Sequence, residues 1–436
     1  MTDLTLSVQR PANGGAAVGH ADDGRVVFVR GAIPGETVTA TVLEEKPGFL
    51  TAEVDEILEA SEHRRAPQCA AAAHGAGCCD LAFIDVDYAR SMKSEILTDV
   101  LTRIGGFTTE RLAALDGGMP VVEALDDTST GWRVRTRLAV DADGRAGLHQ
   151  RQGGGIVVGY RCAQPDPVCS DLGSSDGGFT AGADLAIVVD SNGRRHITEI
   201  APAEKISGRR DARRYAQRRR SRREGPRAHR VIEGQATAAH RIGDRIWQIP
   251  VTGFWQAHRA APAAYARTIG EFVATYATSA GTQALSGAGR GVCWDLYGGA
   301  GVFAATLIDA LGSHEVHIVD SDAGALRAAE QTFIDDAGVH IHRGEVAQVI
   351  GGLPAPLVVV LDPPRTGAGA RVIERVAASA PEVVIHVGCD AARFARDLRL
   401  LAEQGFQTRA IRGFDAFPLT HHIEAIAVLV RATSRP

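Results

Sequence analysis

From about residue 250 onward, short apolar runs recur between longer amphipathic stretches, and this alternation constrains the fold more than any other feature. Val292-Cys-Trp-Asp-Leu-Tyr297, Val316-His-Ile-Val-Asp320, Leu357-Val-Val-Val-Leu361 and Val383-Val-Ile-His-Val387 have the length of strands and are apolar almost throughout. Helix-forming stretches such as Ala323 to Thr332 separate them. Strands buried on both faces, joined by crossover helices, produce such text. Residues 251–436 are therefore predicted to form a doubly wound, Rossmann-like α/β domain.

The sequence before residue 250 reads differently. Residues 1–60 carry short β-branched runs (Leu4–Val8, Val26–Val29, Glu36–Val42, Leu50–Val54) between glycines, with Asp23-Gly24 as a turn, the pattern of a small OB-like β-barrel. Residues 61–250 read as a mixed α+β central domain. It is irregular over 61–80, helical over 86–104, where Ile96, Leu97, Val100, Leu101 and Ile104 share a face, and strand-like over 130–162. Within it, residues 207–230 hold eleven arginines, with Asp211 and Glu224 the only acids, and read as a flexible basic linker suited to phosphates.

The formal net charge of −5 means that any polyanion-binding surface must be local. No basic-then-apolar leader and no apolar run of about 18 residues is present, so the expectation is a cytoplasmic protein without a membrane segment. Seven cysteines in 436 residues are too few for a disulfide scaffold and point to metal or catalysis. Nothing in the sequence implies a protein partner.

Several motifs lie at predicted strand ends, where open α/β domains bind ligands. Asp295-Leu-Tyr-Gly-Gly-Ala-Gly301 follows a strand and precedes a helix, and Asp320 ends the next strand. This arrangement fits an adenosine ribose; the missing GxGxxG favours a methyl-donor nucleoside over a dinucleotide. Asp362-Pro-Pro-Arg365 ends another strand with a rigid turn. Cys389, in Val387-Gly-Cys-Asp390, shares that edge and precedes a helix whose N-terminus is expected to stabilise a thiolate nucleophile. Glu424, ending Phe417-Pro-Leu-Thr-His-His-Ile-Glu424, is a candidate general base; a solvated carboxylate would occupy that position equally well. His421 and His422 lack further metal-ligand spacing and read as structural or RNA-facing. Gly253-Phe-Trp-Gln-Ala-His258 suits either a nucleoside pocket or a packed junction. Cys69, Cys78, Cys79 and Cys162 match zinc spacing poorly, but thiolates gathered from loops can hold an iron–sulfur cluster.

Taken in order, these motifs resemble the bacterial RNA uracil-C5 methyltransferases, with the C-terminal signatures the specific part. The resemblance implies an N-terminal TRAM domain, a cysteine-bearing central domain and a class I methyltransferase domain using S-adenosylmethionine. It assigns Gln256, Tyr297, Asp320 and Asp362 to that cofactor, Cys389 to attack on uracil C6 and Glu424 to removal of the C5 proton, giving 5-methyluridine. It implies a 4Fe-4S cluster on Cys69, Cys78, Cys79 and Cys162, with Cys169 a substitute for the fourth. The cysteine spacing departs from the family's, Val302 stands where Asn is frequent, and Asp390 replaces the Asn that commonly follows the nucleophile. RNA is the implied partner, ribosomal rather than transfer RNA. The alternatives are a methyltransferase for another base or for protein, and an RNA-binding protein with a degenerate catalytic domain.

Overall fold

The computed structural model describes residues 3–170, 178–203, 227–277, 291–312 and 315–432. Six strands come first: β1 (Asp3–Ser7), β2 (Arg10–Ala12), β3 (Ala16–His20), β4 (Val26–Arg30), β5 (Thr37–Lys46) and β6 (Phe49–Glu59). They form one sheet of order β1-β5-β6-β4-β3-β2 around Leu6, Val8, Val27, Val29, Val38 and Leu50. Sequence periodicity anticipated four of these strands; β2 has only three residues, one of them Pro, and β3 (Ala16-Ala-Val-Gly-His20) has a single β-branched residue, so neither shows it.

The helix Val86–Arg103 matches its expected span and is followed by β7 (Val122–Ala124). A second six-stranded sheet contains β8 (Arg135–Val140), β9 (Ala146–His149), β10 (Ile156–Val158), β11 (Asp184–Val189), β12 (Arg195–Ile200) and β13 (His229–Glu233). The hairpin β14 (Thr237–Ile242) and β15 (Arg245–Pro250) leads to the C-terminal region. Most of the Arg-rich stretch, residues 207–226, lies outside the described residues. At its end, Arg227 bonds Asp184 at 2.8 Å and Arg230 bonds Glu199 at 3.0 Å, so these two arginines belong to the central sheet rather than to a linker.

The last sheet comprises β16 (Val292–Leu296), β17 (Glu315–Asp320), β18 (Val339–Arg343), β19 (Val358–Leu361), β20 (Val383–Gly388), β21 (Phe406–Asp415) and β22 (Glu424–Arg431), joined by β7. Its order is β18-β17-β16-β19-β20-β22-β21-β7. The first five strands are parallel; β22 runs antiparallel to both β20 and β21. Both faces are covered, which explains the unbroken apolar runs. Val358, Val360, Ile385 and Val428 pack with Tyr265, Ile269 and Phe303 on one face. Val359, Leu361, Val384 and Leu429 pack on the other with Ile96, Leu97, Leu101 and Leu398. The helix Val86–Arg103 and β7, counted by composition with the central segment, thus complete the C-terminal core. No helix among the described residues is long and apolar enough to cross a membrane.

Candidate active site

The glycine turn after β16 is tightly packed below and open above. A Cβ on Gly298 would meet the Asp295 carboxyl carbon at 2.6 Å, and one on Gly301 would meet the Phe333 ring at 2.6 Å. A Cβ on Gly299 would meet nothing within 4 Å. Tyr297 takes a positive φ of 60° as it enters the turn. Beneath it, Asp295 Oδ2 accepts the Ala304 N–H at 2.9 Å, while Oδ1 is buried without a hydrogen-bond partner. Burial pushes this carboxyl up to about 7. Asp320, ending β17, accepts the Gly299 N–H at 3.0 Å and the Asp322 N–H at 2.7 Å. Asp362 follows β19, its N–H held by Leu296 O at 3.1 Å; burial, reinforced by Asp320, raises its carboxyl to about 7. Tyr297, Asp320 and Asp362 therefore occupy one sheet edge, as the sequence predicted.

Gln256 lies on a loop that the central sheet organises. The buried Arg135 guanidinium donates to the carbonyls of Val251 and Gly253, both at 2.7 Å. Trp255 packs near Trp247, whose indole N–H donates to Ala300 O in the glycine turn at 2.9 Å. Phe254, between them in sequence, is 75% exposed, and Gln256 is half-buried.

The pairing of β20 with β22 brings Cys389 and Glu424 near each other. β20 and β22 run antiparallel with Gly388 opposite Ala425, and continuing that register sets Cys389 opposite Glu424. Glu424 is buried, and desolvation, with Asp362 adding, raises its carboxyl to about 8. The half-buried Cys389 thiol is pushed up to about 12, first by burial and then by Glu424 and Asp362; Arg365 opposes this. The expectation of a thiolate held by the helix N-terminus is thus corrected. Asp390 caps the helix Ala391–Glu403 instead, accepting the Arg393 N–H at 2.9 Å, a task Asp performs as well as Asn.

Several residues here escaped sequence reasoning. Tyr265 is fully buried with an unpartnered hydroxyl, and feels the charges of Glu424, Asp362 and Cys389. The turn 415–424, which delivers Glu424, is pinned from the central segment. Lys93 Nζ contacts Asp415 at 2.6 Å and donates to Phe417 O at 3.1 Å. Asp80 bonds both the ring and the N–H of His421, and the Leu81 N–H donates to Leu419 O at 3.0 Å. Only Asp80 left a signal in the sequence, its adjacency to Cys79.

The structure brings Cys69, Cys78, Cys79 and Cys162 together, with all four sulfurs within 4.8 Å of one another. Cys69 pairs with Cys78 and Cys79 with Cys162, each at 3.6 Å. The Ala72 N–H and the Gln164 amide donate to Cys69 and Cys79 sulfurs at 3.4 and 3.3 Å, a donor set suited to thiolates holding a metal cluster. Cys169 stands apart, its sulfur 4.0 Å from the carbonyls of Arg133 and Val134, in an apolar cluster with Leu185 and Ile187. Beside the four cysteines opens a cleft of about 450 Å³ lined by Arg30, Arg133, Arg137, Arg151 and Arg365. It shares Gly14, Arg365, His421 and His422 with a smaller cleft of about 170 Å³ that reaches Cys389 and Asp390.

Comparison with known proteins places this arrangement. The TRAM domain family model matches residues 2–54, the first sheet. An uncharacterized RNA methyltransferase from Corynebacterium efficiens is 38% identical over 435 residues, covering 99% of this chain and 95% of its own. The chain belongs to the RNA methyltransferase family. Among more distant relatives, the 23S rRNA (uracil(1939)-C(5))-methyltransferase of Halomonas elongata is 28% identical, covering 97% of this chain and 89% of its own. The crystal structure of Pyrococcus abyssi tRNA (uracil-54, C5)-methyltransferase, solved with S-adenosyl-L-homocysteine, superposes with a TM-score of 0.67 at 18% identity. It covers 98% of this chain and 99% of its own, which shows that this RNA methyltransferase shares its fold along the whole length.

Proposed function

We propose that this RNA methyltransferase transfers a methyl group from S-adenosylmethionine to C5 of a uridine in ribosomal RNA, through a covalent adduct between Cys389 and C6. The observation that carries the reading is the closeness of Cys389, one residue past β20, to Glu424 at the start of the antiparallel β22, beside the cleft lined with arginines. The ribosomal choice rests on similarity to the Halomonas enzyme, which extends through the cysteine-bearing segment.

The residues present fit the donor. The orphaned Asp295 Oδ1 under an open glycine turn leaves an acceptor for a cationic ligand. Gln256, Tyr297, Asp320 and Asp362 are assigned to hold it, and the exposed Phe254 ring offers a face on which a base can stack. S-adenosylmethionine supplies an electrophilic methyl on a sulfonium, whose positive charge also favours ionised Asp362, Glu424 and Cys389.

Uracil C5 is a poor carbon nucleophile. Once the Cys389 thiol has lost its proton to solvent, the thiolate sulfur bonds to C6, and the electron pair of the C5–C6 bond moves through C5 to O4 as an enolate. C5 then takes the methyl group. Glu424 removes the proton left on C5, the C5–C6 double bond re-forms, and the sulfur–C6 bond breaks to release 5-methyluridine and Cys389. The base must leave its stack to reach Cys389, so the target is an unpaired or opened uridine. The four clustered cysteines are assigned to a 4Fe-4S cluster, whose role here is to hold together the loops that pin the turn 415–424.

The test is nucleoside mass spectrometry of ribosomal and transfer RNA from cells with and without the gene. Loss of 5-methyluridine from ribosomal RNA alone is expected; loss from transfer RNA alone overturns the substrate class, and no loss overturns the reaction. Cys389→Ala is expected to abolish methylation in vitro while leaving cofactor binding unchanged. Residual uridine methylation by that variant rules out the covalent route.

A further inference from the structure

The sheet edge far from Cys389 carries a group of side chains that methyl transfer does not use. β17 and β18 pair in parallel, with His317 opposite His340 and Val319 opposite His342. Alternate strand residues share a face, so Glu315 and His317 on one strand meet His340 and His342 on the other. The His317 ring stacks on both histidines, with centroids 4.9 Å from His340 and 5.1 Å from His342.

His317 Nε2 lies 2.9 Å from Glu315 Oε1, and His340 Nε2 lies 3.7 Å from the same oxygen. One ligand atom from each of the three residues falls within 4.8 Å of the other two. Around a tetrahedral zinc with bonds of about 2.0–2.1 Å, ligand atoms stand roughly 3.3 Å apart, a spacing these two contacts bracket. A fourth side chain strengthens the case. His317 Nδ1 lies 2.9 Å from His342 Nε2. A metal-bound imidazole usually donates its other N–H to a neighbouring acceptor, which fixes tautomer and ring orientation; His342 stands where that acceptor belongs.

We propose that Glu315, His317 and His340 bind a divalent transition-metal ion of the zinc type, with His342 orienting His317 and water completing the coordination. The side chains of Glu315 and His340 are 38% and 46% exposed, so ion and water have access. The site lies at the amino end of β17, roughly 16 Å along the strand from Asp320. The ion there is a staple between β17 and the edge strand β18, outside the methyl-transfer chemistry. A metal-free alternative exists, a hydrogen-bonded chain from His342 through His317 to Glu315. That chain uses neither ring nitrogen of His340, which stacks on His317 but stands 3.7 Å from Glu315, too far for a hydrogen bond.

Cobalt titration of the full chain separates this site from the cysteines. Cobalt held by nitrogen and oxygen gives weak visible bands, whereas thiolate-bound cobalt adds intense charge-transfer absorption. We expect one equivalent of cobalt with the nitrogen–oxygen spectrum, displaced by zinc. His340→Ala should abolish it without changing the melting temperature of the metal-free protein. His342→Ala should weaken zinc binding about 10- to 100-fold. An absent nitrogen–oxygen signal in the parent protein, or an undiminished one in His340→Ala, overturns the site; unchanged zinc affinity in His342→Ala overturns the role given to His342.

Discussion

At Cys389 and Glu424, two groups that must act ionised are both held towards their neutral forms. Burial is the first cause for each; Glu424 and then Asp362 add to the Cys389 shift, and Asp362 adds to that of Glu424. The directions give a kinetic prediction. Glu424 must be ionised to accept the C5 proton, and its carboxyl sits at about 8. Resolution of the covalent adduct should therefore accelerate about tenfold per pH unit at low pH and level off near pH 8. Adduct formation depends on the Cys389 thiolate, raised to about 12, and should continue to accelerate through pH 9. Single-turnover kinetics on a uridine-containing RNA distinguish the two phases. Glu424→Gln should form the adduct and fail to resolve it, leaving a protein–RNA species that survives denaturing electrophoresis. If Glu424→Gln instead turns over at the parent rate, another base removes the proton.

At the scale of elements, the turn between β21 and β22 depends on residues far away in the sequence. Lys93 on the helix Val86–Arg103 and Asp415 form a buried pair separated by 322 positions; Asp80 and His421 are separated by 341. Breaking one partner of a buried pair costs about 3–5 kcal/mol, because the remaining charge stays desolvated. Lys93→Met should lower the thermal midpoint by several degrees and reduce activity, since Phe417 O loses one of its donors and the turn that delivers Glu424 loses its tie to the helix. Lys93→Met combined with Asp415→Leu should recover most of the stability, as measured by calorimetry, but not the activity. Equal recovery of both would show that the pair serves folding alone. These contacts also mark the limit of what could be read from the chain. Asp320, Asp362 and Cys389 were legible because each ends an apolar run, and the sheet geometry then fixes where they meet. Lys93 and Tyr265 sit inside ordinary helical patterns, where a buried ammonium or an unpartnered phenol leaves no periodic trace. The approach of Cys389 to Glu424 needed β22 to be antiparallel to β20, a reversal that hydrophobic pattern does not encode.

At the scale of the whole molecule, the cleft is built jointly by the three parts of the chain. The β2–β3 turn at Gly14 and Gly15 meets Arg133 and Arg137 of the central segment and Arg365 of the catalytic domain. A chain with net charge −5 thus concentrates cations where a polyanion would have to pass to reach Cys389. Arg30 and Arg137 are exposed in this cleft and make no ion pair among the described residues, so both remain available for phosphates. Each phosphate contact contributes roughly 0.7–0.9 to the slope of log affinity against log salt. Arg30→Ala and Arg137→Ala should each flatten that slope by about one, and the double variant by about two, because the residues lie on separate strands and share no partner. At saturating RNA and low salt the turnover rate should be unaltered, since neither side chain touches the reacting groups. Fluorescence anisotropy across a salt series, paired with turnover at saturation, makes the comparison. Unchanged slopes would move the RNA path off this cleft. Deleting residues 207–226 would then ask whether the Arg-rich stretch carries the phosphate contacts instead.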